Sequence, residues 1–219
     1  MSLVKAIFKR IPGQQQTVAL LRLAESYLAE KGWNESAKRQ KPVNADGQPI
    51  PWLTYSFIDF LAPRLTPTMR VFEYGSGNST LWFSERVGGI VSVEHDKAWY
   101  EFIGQALRQR KNVTYHFRDL VADDYPATIK EQTHNFDIVL IDGRKRVACS
   151  YAAVERLSED GIIIWDNADR SDYQEGYDML RAKGFRRIDF KGLSPGMHFD
   201  SSTAVFYSQQ KSLVIYNMF

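Results

Sequence analysis

Three groups of residues in this chain have types and spacings suited to chemistry, and each stands where an apolar run stops. The first is Val71-Phe72-Glu73-Tyr74-Gly75-Ser76-Gly77-Asn78-Ser79-Thr80, a buried-strand pattern that runs into a glycine turn and then into residues able to start a helix. Glycine has no side chain to collide with a ligand, so Gly75 and Gly77 allow a tight turn and a close backbone approach. The dinucleotide pattern G-x-G-x-x-G fails at its third position, where Thr80 stands, and this argues against a diphosphate cofactor. The second is Glu94, which closes the next apolar run roughly 20 residues past the glycines, where an acidic side chain can bond the hydroxyls of a ribose. Together they point to an adenosine ligand. A lone G-x-G after a strand is also a common tight turn with no ligand.

The third group is split between Asp142-Gly143-Arg144-Lys145-Arg146 and Asp166-Asn167, each after an apolar run. Two carboxylates and an amide carbonyl are hard donors, suited to magnesium. Neighbouring strand residues point to opposite faces, so Asp166 and Asn167 can share an ion only if the chain turns there. Asp142 could instead pair with Arg144 or Arg146. The basic run points to an acidic or phosphorylated partner. His198 is a second candidate base, although a surface histidine is the commoner case. The aromatic segment 51–55 either caps a ligand or packs the N-terminal helices onto the core.

The elements that must position these groups follow from periodicity. Short β-rich runs at 71–74, 90–94, 113–117, 136–141 and 161–165 alternate with helix-length segments at 79–86, 97–108, 149–157 and 171–183. Such alternation predicts βαβ units and a parallel sheet. The runs 187–190, 203–207 and 212–216 follow with only loops between them, which predicts an antiparallel ending. Upstream, Leu20, Leu21, Ala24, Tyr27 and Leu28 recur at helical spacing, giving a helix over 14–31. The polar stretch 34–51, with Pro42, Pro49 and Pro51, reads as a surface loop, and a short helix spans 56–61. The expected organisation is an N-terminal helical cap and loop over 1–66 and a ligand-binding core over 67–219.

The chain of 219 residues is long enough for one sizeable core. Apolar residues at 44% and charged residues at 25% match an ordinary globular protein. A net charge of +2 with scattered basic residues gives no strong nucleic-acid signal. The single cysteine, Cys149, can form neither an internal disulfide nor a multi-thiolate zinc site, which fits a reducing compartment. No apolar run approaches the roughly 20 residues of a membrane span, and the first residues lack a signal-peptide pattern. A cytoplasmic location is expected.

Glu73-x-Gly75-x-Gly77 with Glu94 resembles the class I S-adenosylmethionine-dependent methyltransferases over residues 70–219. The resemblance implies an α/β, Rossmann-like, mostly parallel seven-stranded sheet with an antiparallel C-terminal edge and an N-terminal helical cap. It places Glu73, Gly75, Ser76 and Gly77 near the methionine part of S-adenosylmethionine, Glu94 on the ribose, and Asp119 near the adenine amino group, with His95 and Trp99 lining the adenine pocket. Asp142, Lys145, Asp166 and Asn167 are similar to a pattern of the cation-dependent O-methyltransferases. That likeness implies Mg2+ on Asp142, Asp166 and Asn167, with Lys145 as the base and a small acceptor methylated on oxygen; the basic run 144–146 departs from the pattern and points to an acidic acceptor. Two other readings compete: a non-catalytic adenosine-binding module and an aminopropyltransferase-like enzyme. The basic run would repel the cationic amine that the second needs. Adenine-N6 and cytosine-C5 methyltransferases are disfavoured, because the Asp142 segment lacks the prolines of the first and Cys149 lacks the preceding proline of the second.

Overall fold

The computed structural model describes residues 15–121 and 124–208. Seven strands form one sheet: β1 (Arg70–Tyr74), β2 (Gly89–Glu94), β3 (Val113–Phe117), β4 (Phe136–Ile141), β5 (Leu157–Trp165), β6 (Phe185–Leu193) and β7 (Asp200–Ser208). Their spatial order is β3-β2-β1-β4-β5-β7-β6. The first five are mutually parallel, and β7 runs antiparallel to both β5 and β6. Strands buried on both faces read as continuous apolar runs, and Ile138 to Ile141 and Ile162 to Trp165 are all wholly inaccessible.

Alternation along the strands sends successive side chains to opposite layers. Phe72, Tyr74, Val139, Ile141, Ile163 and Trp165 enter one cluster, whereas Val71, Ile138, Leu140, Ile162 and Ile164 enter the other. The N-terminal helices are α1 (Gln15–Glu25), α2 (Tyr27–Glu30), α3 (Trp33–Arg39) and α4 (Tyr55–Leu61). The helices between and after the strands are α5 (Asn78–Ser84), α6 (Lys97–Leu107), α7 (Asp124–Ala127), α8 (Arg146–Val154) and α9 (Gln174–Ala182). Cys149 on α8 and Leu180 on α9 belong to the first cluster, and Trp82 and Phe83 on α5 to the second. The second cluster also takes Leu53, Phe57 and Leu61, so the segment before β1 shares the core of the sheet.

Several expectations change in detail. The single helix over 14–31 is broken at Ser26, whose hydroxyl donates back to the Arg22 carbonyl at 2.6 Å, and α1 has no buried residue. The stretch 34–51 is not a plain surface loop. It begins inside α3, and Val43 bridges Pro49 while Ser36 Oγ both donates to the Val43 carbonyl (2.8 Å) and accepts from its N–H (2.9 Å). One serine thus satisfies both polar groups of a buried backbone position, which polar composition alone conceals. The helix expected from 149 starts at Arg146, and the strand expected from 161 starts at Leu157. The antiparallel ending is the β6–β7 pair, and the run 212–216 lies outside the described residues. Among the described residues no helix is long and apolar enough to cross a membrane.

Candidate functional site

Strand order reverses between β1 and β4, and open α/β sheets place ligands at the carboxyl ends of strands at such a switch. The turns after these two strands pack backbone on backbone. Gly75 has φ +90°, and a Cβ there would stand 3.0 Å from the Gly143 Cα. A Cβ on Gly143 would lie 1.9 Å from the Tyr125 hydroxyl, so nothing larger than glycine fits. This contact sets Asp142 beside the glycine loop.

The loop is held from two sides. Glu94 is 3% exposed, and its Oε2 accepts from Ser76 N–H (3.0 Å) and Ser76 Oγ (3.1 Å). Its Oε1 accepts from the N–H groups of His95 (2.7 Å) and Asp96 (2.9 Å). Ser76 Oγ also meets the Tyr115 hydroxyl at 2.6 Å, and the Ser76 carbonyl accepts from Trp99 Nε1 at 2.8 Å. A ribose hydroxyl reaching Glu94 must therefore displace or join Ser76. From beneath, fully buried Glu73 accepts through Oε2 from Thr80 Oγ1 and Ser92 Oγ, while Thr80 Oγ1 accepts from Gly77 N–H. Glu73 Oε1 has no hydrogen-bond partner among the described residues, and burial, opposed by the hydroxyls of Ser79, Thr80 and Ser92, pushes this carboxyl up to about 7.

Two cavities open here. The larger, about 410 Å³, lies between the 40–52 segment, the turn Ser76 to Ser79 and the α6 face that carries Trp99 and Phe102. The smaller, about 280 Å³, is lined by Asp166, Asn167, Arg170, Ser194, Phe199 and Ser201 among others. Trp52 and Asp142 line both, so the two chambers meet at these residues. Of the residues expected to bind the cofactor, Ser76 and Gly77 line the larger cavity, as does Trp99. Glu73, Gly75, Glu94, His95 and Asp119 do not. His95 packs edge-on against Tyr125, and exposed Asp119 accepts from Val121 N–H in a local turn.

At the junction, Arg146 is 9% exposed and braces the ends of β4 and β5. Its Nε donates to the Gly143 carbonyl (2.9 Å), its Nη2 to the carbonyl and Oδ1 of Asp142 (both 3.0 Å), and its Nη1 to the Asp166 carbonyl. Asp166 Oδ1 accepts from Thr203 Oγ1 at 3.1 Å. Burial, then the Asp142 charge, holds the Asp166 carboxyl well above its ordinary range. Burial raises Asp142 as well, opposed by Arg146.

Asn167 has φ +51°, so the chain does turn after Asp166, and Asp142, Asp166 and Asn167 line one cavity. They nevertheless do not fit a resident magnesium ion. The charge beside Asp142 is already met by a guanidinium, and an added divalent ion would face it at close range. No group of three metal-ligating acidic, histidine or cysteine side chains occurs among the described residues. The expected Mg2+ thus finds no support. Lys145 caps α8 in a left-handed conformation (φ +48°) and lines neither cavity, and exposed His198 also lines neither. The alternative pairing of Asp142 with Arg146 is the one observed, whereas the bonds from Arg146 to the Gly143 and Asp166 carbonyls, which brace the two strand ends, had no signal in the sequence. Sequence reasoning also missed Tyr115 and Thr203, which local sequence does not mark.

No family model matches the sequence, and no curated protein matches it. Solved structures do match. An O-methyltransferase from Bacillus cereus, in complex with S-adenosylhomocysteine, superposes with a TM-score of 0.60 at 15% identity, over 86% of this chain and 96% of that one. A precorrin-6y C5,15-methyltransferase from Geobacter metallireducens gives 0.56 at 17% identity, over 69% and 85% of the two chains. An rRNA methylase from Streptococcus thermophilus gives 0.54 at 15%, over 69% and 93%. The chain has the Rossmann-like fold of the class I S-adenosylmethionine-dependent methyltransferases. These neighbours act on different kinds of acceptor, and fold alone does not choose among them.

Proposed function

We propose that this protein is an S-adenosylmethionine-dependent methyltransferase that methylates an oxygen of a small acceptor. The observation that carries this reading is the pair of cavities meeting at Asp142 and Trp52, on the switch point of a methyltransferase fold. The larger cavity has a volume within the usual range for small-ligand sites, a glycine-turn wall and three exposed rings, which suit an adenosyl group. Ser76, Gly77, Asn78 and Ser79 would hold it, with Glu94 on the ribose once the Ser76 hydroxyl shifts. When bound, S-adenosylmethionine supplies an electrophilic methyl on a positively charged sulfur.

The acceptor occupies the smaller cavity. Asp142 faces both chambers, favours positive charge beside it and takes the acceptor proton. The acceptor oxygen forms the new bond to the methyl carbon, and the carbon–sulfur bond breaks with its electron pair left on sulfur. Most of the rate comes from holding the two groups in line. Arg146 positions Asp142, and no step runs through a metal. Lys145 is a weaker candidate for the base, since it lines neither cavity.

Calorimetric titration with S-adenosylhomocysteine, with a Glu94→Ala variant and NAD as control ligand, tests the reading. Binding that is lost in the variant and absent for NAD is expected. No binding to the natural chain would remove the methyltransferase reading.

A further inference from the structure

Two loops far apart in the chain wall the two cavities, and both rest on α3. Pro42, Val43 and Pro49 belong to a loop that sides the larger cavity, and the loop between β6 and β7 supplies Ser194, Met197 and Phe199 to the smaller. Toward the first loop, buried Ser36 bonds both polar groups of Val43, and a Cβ on Gly32 would fall 2.2 Å from the Asn44 carbonyl carbon. Toward the second, Trp33 Nε1 donates to the Met197 carbonyl at 2.7 Å. A Cβ on Gly196, at φ +72°, would fall 2.9 Å from the Ala37 nitrogen and 3.1 Å from the Ser36 carbonyl carbon. Both loops therefore meet the helix backbone to backbone, with no side chain between to yield. The first loop is also bonded to the glycine turn, since Asn78 Nδ2 donates to the Pro42 carbonyl at 2.5 Å.

We propose that α3 is a positioning element that makes the two loops one unit, so that a ligand on the glycine turn sets the 194–199 wall of the smaller cavity through Asn78, Pro42, Ser36 and Trp33. The ligand arm of the inference rests on the methyltransferase reading; the tie between the loops does not. Interiors packed this closely do not deform continuously, so a loop that shifts must carry α3 with it or break its bonds. A ligand held by Ser76 to Ser79 restrains Asn78 and with it the Pro42 carbonyl. Ser36 passes that restraint to α3, and the Trp33 bond delivers it to Met197. A wall ordered in advance costs less to order again, which is cooperativity without any contact between the two ligands. By linkage, an occupant of the smaller cavity tightens binding in the larger by the same factor.

The test is amide hydrogen exchange read by NMR on the full chain, at Val43, Asn44 and Met197, whose N–H groups are all hydrogen-bonded. Saturating S-adenosylhomocysteine should slow exchange at Met197 about fivefold or more, the low end of ordinary coupling between sites. Trp33→Phe keeps a ring and loses the donor. In it the slowing at Met197 should fall to about twofold or less, while the slowing at Val43 and the affinity for S-adenosylhomocysteine stay within about twofold of the natural chain. In the ligand-free protein, Gly196→Ala drives a methyl into the α3 backbone and should speed exchange at Val43 and Asn44 as well as at Met197. If that variant does not fold, ligand-free Trp33→Phe takes its place, with the same joint effect expected. Ligand that binds without slowing Met197, slowing that survives in Trp33→Phe, or a ligand-free effect confined to 194–199 would each overturn the proposal. If titration shows no binding of S-adenosylhomocysteine, the methyltransferase reading falls and the ligand-free comparison alone decides whether α3 ties the loops.

Discussion

Replacing Glu73 with glutamine removes a titratable group that the fold buries completely. Its Oε2 is served by Thr80 and Ser92, but Oε1 has no hydrogen-bond partner among the described residues, and burial lifts the carboxyl from an ordinary 4.5 to about 7. A group whose pKa rises on folding binds its proton more tightly in the native state. The stability this confers is complete below pH 4.5 and is lost as pH rises through 7. The difference is worth about 3 kcal/mol once both states are ionised. For a chain of this size that is roughly 10 °C in midpoint temperature. Glu73→Gln stays neutral at every pH and keeps an acceptor for Thr80 and Ser92. It should lie within about 1 kcal/mol of the natural protein at pH 5 and exceed it by up to about 3 kcal/mol at pH 8. Urea unfolding followed by tryptophan fluorescence across that range measures the difference, and comparing the two proteins cancels the other groups that titrate there. A gap that does not widen between pH 5 and pH 8 would refute the account of Glu73 as a buried carboxyl held near neutrality.

Gly143→Ala should destabilise the protein by about 1–3 kcal/mol, because the new methyl meets the hydroxyl of fully buried Tyr125. Chemical denaturation measures this, and an unchanged midpoint would mean that the two turns are not packed as described. Millimolar Mg2+ should leave the midpoint temperature unmoved, and chelator should leave S-adenosylhomocysteine binding unmoved, because Arg146 already meets the charge of Asp142. A rise of several degrees that disappears in Asp142→Asn would restore a metal site.

The parts of the fold legible in the sequence were those whose β-rich runs are bounded by turn residues, and burial sharpened the signal in some of them. The runs 113–117 and 136–141 match β3 and β4 to the residue. In β4 this is because Ile138 to Ile141 are inaccessible on both faces and leave an uninterrupted apolar signature. The glycine turn and Glu94 were legible as a pair, but their direct contact was not. Ser76 could be read as a loop residue, whereas its bonds to Glu94 and Tyr115 join strands far apart in the chain. The 40–49 segment misled for the opposite reason. Its prolines and polar residues describe a loop correctly, yet say nothing of Ser36 fixing Val43 or of the wall it forms for the larger cavity. Arg144, Lys145 and Arg146 looked equivalent as a run, and a left-handed turn at Lys145 sends them to three different environments.

The placement of β7 bears on how the chain is made. It is the last described strand to leave the ribosome, yet it is inserted between β5 and β6 rather than added outside them. Until it arrives, β5 has an open edge along Ile162, Ile163 and Ile164, a stretch of the kind that pairs with foreign strands. The nascent protein would pass through a stage in which its stickiest backbone is uncovered and a chaperone is most useful. Thr203, which bonds Asp166 and the Thr54 backbone, travels on the same strand. Ligand competence and protection from aggregation should therefore appear together, once residues 200–208 have been made, and a chain stopped before residue 200 should show neither.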